Sequence, residues 1–205
     1  MRTTKSQTKY WKHRKLDWKK EYFDTWNEPH RQFIMTVLGG FQWMSLMEIG
    51  VGGGANLAAI TRHLKGKQIG GIDINEDAID FCEKTFDNGM FKVCPADDIM
   101  MSDKSADVLL SDMTYIYVGP TKINNCLKEL RRTARKEIVI HEYYIKNPFK
   151  RLWMYLKHGY FFYDYPKLLK KLDFYDIYVI KVPGGGDDLQ RKHRYLIKAK
   201  PPQRY

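Results

Sequence analysis

The sequence predicts one α/β domain over residues 1–205, built on a doubly wound sheet of seven strands that is mostly parallel and closes in an antiparallel pair. Three observations carry this prediction. From about Met44 onward, short apolar runs alternate with segments of helical periodicity. The first apolar run ends in a glycine-rich turn that opens a helix. The last two β-prone runs have only a loop between them, so as neighbours they must pair antiparallel.

Met44–Ile49 is apolar and followed by glycines, as in a strand buried on both faces. Ala55–Leu64 places Leu57, Ala58, Ile60 and Leu64 at helical spacing. Gln68–Ile74 reads as the second strand and Glu76–Phe86 as a helix, with Asn75 as N-cap and acids in the first turn. Phe91–Cys94, Asp107–Leu110 and Glu137–His141 supply three more strands, with a helix over Pro120–Thr133. Tyr165–Leu172 is helical in pattern. Phe174–Val182 and Tyr195–Ala199 are the closing strands, joined by a glycine-rich loop at Pro183–Asp188. This rhythm implies helices on both faces of a parallel sheet.

Composition narrows the partners. The net charge is +11, and it is unevenly spread: residues 2–20 hold eight Lys/Arg and one acid, whereas residues 73–112 hold eleven acids and three lysines. Basic ends suit an anionic partner, RNA among them, although high charge also serves solubility. Cys82, Cys94 and Cys126 are too scattered for a metal cluster or a disulfide framework and read as reduced thiols. With no secretory leader and no run of about eighteen apolar residues, a cytoplasmic chain with no membrane partner is expected.

The chemistry centres on Glu48-Ile49-Gly50-Val51-Gly52-Gly53-Gly54-Ala55-Asn56, between a strand and a helix. Glycines there permit a tight turn and let a nucleotide approach the backbone. Asp73, 25 residues beyond Glu48, ends the second strand, where a carboxylate can accept bonds from two ribose hydroxyls. The spacing Gly50-x-Gly52-x-x-Ala55 also admits a nicotinamide enzyme. Glu48, the roughly forty residues before the first strand and the closing antiparallel pair favour a different cofactor.

Glu48–Asn56 resembles the first motif of the class I S-adenosylmethionine-dependent methyltransferases, and Gly71–Ile74 resembles their second. The likeness runs from about Trp26 to the C-terminus and is nearest the small, type-11-like group. It implies a Rossmann-like fold and S-adenosylmethionine as cofactor. Glu48, Gly50, Gly52 and Gly54 would then face the methionine moiety, Asp73 the ribose and Ile74 the adenine. At the third motif the sequence departs from the family, with Pro95 where many relatives carry an acid. Ala96 and either Asp97 or Asp98 are the candidates for the adenine amine.

The acceptor belongs at the carboxyl ends of the strands. That rim should carry Asp112, after the fourth strand, and His141 and Glu142, after the fifth, as candidates for substrate contact or proton removal. No Asn/Asp-Pro-Pro-Tyr/Phe stretch or Pro-Cys pair follows the fourth strand, which disfavours adenine N6 and cytosine C5 as targets. Tyr143–Tyr165 holds ten aromatics among 23 residues, interleaved with cations, and sits where the family inserts substrate-recognition elements. Phe149, Trp153, Leu156 and Tyr160 are expected to form one helix face packed on the core. The resemblance also implies that residues 1–40, basic and aromatic, form a helical lid over the cofactor. The readings are methyl transfer to O or N of a small or anionic acceptor, an RNA methyltransferase, and a non-catalytic module that retains the fold. Oligomeric state is left open.

Overall fold

A computed structural model describes residues 4–183 and 187–203. Seven strands form one sheet: β1 (Ser45–Ile49), β2 (Gln68–Asp73), β3 (Met90–Val93), β4 (Ala106–Asp112), β5 (Ala134–Tyr143), β6 (Tyr175–Lys181) and β7 (Arg194–Lys200). Their order is β3-β2-β1-β4-β5-β7-β6, with β7 antiparallel to both β5 and β6 and every other pairing parallel. The chain reverses direction of growth between β1 and β4, so a crevice opens beyond their carboxyl ends.

Alternation along the central strands assigns the two faces. On β5, Ile138 and Ile140 join one core while Val139 joins the other; on β4, Leu109 is separated in the same way from Val108 and Leu110. Three helices, α3 (Pro29–Gly39), α4 (Ala55–His63) and α5 (Glu76–Thr85), cover the face of Val108, Leu110 and Val139. The opposite face is covered by α6 (Ile123–Thr133) and α8 (Tyr165–Lys170). Ahead of the sheet lie α1 (Thr4–Lys12), α2 (Trp18–Glu21) and a 3-10 turn at Phe23–Thr25; α7 (Pro148–His158) follows β5, and α9 (Asp188–His193) precedes β7.

The seven strands and the antiparallel closing pair are those the sequence predicts. Asn75 caps α5 as expected, its side chain accepting from the Ala78 N–H at 3.2 Å. The three cysteines are free and buried. Of the expected glycine-rich loop, Gly184–Gly186 lie outside the described residues.

Two expectations are corrected. β5 begins three residues earlier than predicted, because Arg135 and Lys136, which fall between the predicted helix and strand, extend the strand and pair with Asp107 at 2.7 and 3.1 Å. The aromatic insert does form a helix, but its stripe does not pack on the core. Phe149, Trp153 and Leu156 are 83%, 55% and 59% exposed. The helix is seated by its other side: Met154 is buried, and Arg151 donates to the carbonyls of Ile145 and Lys146. Only Tyr160, beyond the helix, packs inward against a small cluster.

Candidate active site

A cavity of about 250 Å³ lies at the carboxyl ends of β1, β2 and β4. Its floor on one side is the loop between β1 and α4. Gly50, Gly52 and Gly54 all have positive φ, at 72°, 52° and 70°, which L side chains rarely adopt. Gly50 and Gly52 line the cavity. Gly54 does not. It stands at the start of α4, where a Cβ would come within 2.5 Å of the Phe86 ring, so its role is packing.

Asp73 lines the cavity beside Ile72 and Ile74. Its carboxylate is aimed by the backbone, accepting from Gly52 N–H and Asn75 N–H at 2.9 Å each. Burial raises its pKa, and these donors oppose the shift. Across from it, Pro95, Ala96 and Asp97 form the wall after β3. Asp97 is paired with Lys122 at 2.7 Å, and Asp98 is exposed.

The opposite end is built on Asp112, the last residue of β4. Its Oδ2 accepts from Arg31 Nη1 at 2.7 Å and from Asn56 Nδ2 at 3.0 Å, and its Oδ1 lies 2.6 Å from His141 Nδ1. Burial alone would push Asp112 up, but His141 and Arg31 outweigh it and hold the carboxyl far below the usual range. An ionised Asp112 only accepts, so His141 Nδ1 carries the proton toward it. His30 stacks on His141 with centroids 5.5 Å apart and also borders the cavity. Burial lowers His30 to about 4, which leaves its ring neutral at pH 7.

The remaining predicted residues stand behind this surface. Glu48 is buried beneath the loop, away from the cavity lining. Its Oε1 accepts from Asn56 at 2.6 Å, Oε2 has no hydrogen-bond partner, and burial pushes its carboxyl up to about 8. His141 is fully buried, with Nε2 unpartnered. Glu142 points at the 3-10 turn Tyr115–Tyr117, accepting from the N–H groups of Tyr115 and Ile116 at 2.6 and 3.2 Å. Burial raises it to about 8, against those donors. So Asp112 meets the cavity directly, while His141 holds Asp112 and Glu142 holds the turn that carries Tyr117 to the cavity.

The N-terminal segment roofs the site. Gln7, Trp11, Trp18 and Tyr22 all border the cavity. Trp11 packs on Tyr117 with centroids 4.9 Å apart, and Asn75 Nδ2 donates to the carbonyls of Trp11 and Arg14 at 2.7 and 2.8 Å. Sequence reasoning missed Arg31 and His30 as site residues, because both come from α3, outside the strand-end loops. Met113, which also lines the cavity, has φ +54°, the kind of backbone strain that gathers at functional sites.

These residues fit a nucleoside-bearing cofactor. Gly52 offers backbone without a Cβ beside Tyr22 and Trp18, whereas a Cβ at Gly50 would meet Thr114; Asp73 presents an oriented acceptor, and Ile74 and Ala96 supply apolar walls for a flat ring.

Residues 46–137 match the family model of a methyltransferase domain. No curated protein sequence matches the chain significantly. Among solved structures, a Haloferax volcanii protein in complex with the methyltransferase activator Trm112 shares 16% identity, with a TM-score of 0.67 over 90% of this chain and 98% of that one. The geranyl diphosphate C-methyltransferase of Streptomyces coelicolor, solved with S-adenosylhomocysteine, is 14% identical with a TM-score of 0.66, covering 84% and 78%. A phosphoethanolamine N-methyltransferase of Haemonchus contortus, also with S-adenosylhomocysteine, is 15% identical with a TM-score of 0.66, covering 86% of this chain and 53% of that one. The chain thus carries a match to a methyltransferase domain at residues 46–137, on a seven-stranded sheet that shares its fold with these solved methyltransferases.

Proposed function

We propose that this chain transfers the methyl group of S-adenosylmethionine to an oxygen or nitrogen of a small or medium-sized acceptor. The observation that supports this most directly is the continuity of one cavity. It runs from Asp73, Ile74 and Ala96 at one end to Asp112 and His30 at the other, under the roof of Trp11, Trp18 and Tyr22.

When bound, the cofactor supplies an activated methyl on a sulfonium, which the acceptor attacks in line. The chain's own contribution is then placement and proton management. Asp73 and the wall at Ala96 and Asp97 orient the nucleoside end, and Gly52 gives it room. Asp112, ionised and held by Arg31, Asn56 and His141, offers fixed negative charge to a cationic centre nearby. His30, neutral and bordering the cavity, has the protonation state of a base for the proton the acceptor loses. Glu142 fixes the turn that carries Tyr115–Tyr117, and Tyr117 lines the cavity. The aromatic roof excludes water.

The test is calorimetry with S-adenosylhomocysteine, followed by a screen of amine, hydroxyl and carboxyl acceptors with labelled methyl donor. The reading requires cofactor binding, and methylation of at least one acceptor that H30Q slows in kcat with little change in cofactor affinity. Binding without transfer to any acceptor would leave a module that only retains the fold.

A further inference from the structure

We infer that α7 is an interfacial helix that docks on an anionic lipid surface. This concerns a face of the molecule outside the cavity and stands whether or not the acceptor assignment above holds.

Phe149, Leu152, Trp153 and Leu156 are each more than half exposed, at 83%, 59%, 55% and 59%. Their spacing of i, i+3, i+4 and i+7 sets them on one stripe about 100° wide at 3.6 residues per turn. Met154 lies on the side away from the stripe and is buried, so the stripe faces outward by construction. A soluble surface scatters exposed apolar residues singly; four large ones contiguous on one helix mark an interaction site.

Charge identifies the occupant. From Tyr143 to Tyr163 the chain has four Lys/Arg and no acid. Lys150 and Lys157 fall on one shoulder of the stripe and are exposed, as is Lys146 just before the helix. Lys157 lies over the Trp153 ring at 5.0 Å. Apolar side chains that project outward, a tryptophan among them, with lysines at their edge, suit the boundary between acyl chains and anionic headgroups. A nucleic acid would use the cations and the rings but leave Leu152 and Leu156 in water. A second copy of the chain would set this basic helix against its own like charge.

The mode is peripheral, since among the described residues no helix is long and apolar enough to cross a membrane. It departs from the sequence expectation of no membrane partner, which weighed only spanning segments. Beneath α7, Met154 packs in a cluster with Ile116 and Tyr143, against which Met113 and Tyr117 also rest. Both of those line the cavity, so the lipid-facing helix stands about one side-chain layer from its wall.

The experiment is co-sedimentation of the full chain with vesicles of phosphatidylcholine alone and of phosphatidylcholine with about 30% phosphatidylglycerol. Expected is partition into the anionic vesicles, reduced at least about tenfold by F149S/W153S, since both rings lose their burial among the acyl chains. K150Q/K157Q should reduce anionic partition about thirtyfold and leave the weak binding to neutral vesicles unchanged. All four positions are exposed, so thermal melting should stay with the parent. No partition, or partition indifferent to F149S/W153S, overturns the proposal. So does a dimer in sedimentation equilibrium that F149S/W153S dissolves, or polyuridylate binding lost through the same pair of substitutions without vesicle binding.

Discussion

Asp73 and Asp112 end strands on either side of β1 and face one cavity, yet they are held in opposite ways. Asp73 is gripped by peptide N–H groups from Gly52 and Asn75, both within its own motif region, and burial raises its pKa. Asp112 is gripped by side chains of Arg31, Asn56 and His141 from three different elements, and its pKa is lowered. Backbone donors come with the fold of the loop itself. A cage of side chains must be assembled by tertiary packing, and it carries charge. The two ends of the cavity should therefore fail differently: one by losing ligand, the other by losing structure.

The largest effect should come from breaking the charged cage. R31M leaves Asp112 buried without its permanently charged partner and should destabilise the chain by about 3–5 kcal/mol, read by urea denaturation. A loss below about 1 kcal/mol would show that His141 alone suffices. At the other acid, D73A should weaken S-adenosylhomocysteine binding by roughly 1–3 kcal/mol in calorimetry, with a smaller change in folding stability than R31M. An unchanged affinity would remove Asp73 from the ribose site.

Titration sharpens the contrast further. His30 binds a proton near pH 6.5 when unfolded but only near pH 4 when folded. Between those values the unfolded state holds more protons, so stability falls as pH drops from about 6.5 toward 4. The loss should be on the order of 1–2 kcal/mol, after discounting for the part of His30 that remains in contact with solvent. H30Q should flatten that slope in urea melts across the same range. The smallest expected change is N75A, which removes a helix cap worth about 1 kcal/mol. Because Asn75 also holds Trp11 and Arg14, N75A should speed proteolysis before residue 30, and bound S-adenosylhomocysteine should slow it in the parent.

The contrast between the two acids also explains what the sequence revealed. The partners of Asp73 sit in Gly50–Asn75, so spacing along the chain was enough to propose its role. Asp112 was legible as a strand-end acid, but its partner Arg31 lies 81 residues away, where nothing local ties an arginine on an N-terminal helix to it. Glu142 followed a predicted strand into the expected region, yet side-chain direction was invisible, and it turned out to serve peptide N–H groups behind the cavity. The stripe on α7 was visible as a period. A period says which residues share a face, not whether that face meets core or solvent, and only the seating of Met154 and Arg151 decides this. The number of strands and the antiparallel closure were readable because apolar runs and the loop between the last two strands encode them directly; the order of strands across the sheet was not.

One amide side chain, that of Asn75, carries a kinetic consequence. The backbone N–H of Asn75 supports Asp73, while its side-chain Oδ1 caps α5 and its Nδ2 holds two carbonyls of the segment above the cavity. A ligand beneath Trp11 can leave through the rim as it stands, or through a wider opening that breaks both Nδ2 bonds at once. Departure of the bulky spent cofactor by the second route makes turnover a matter of how often this single residue lets go. The ceiling on catalytic rate would then be set on the nucleoside side of the pocket, away from the atoms that exchange the methyl group.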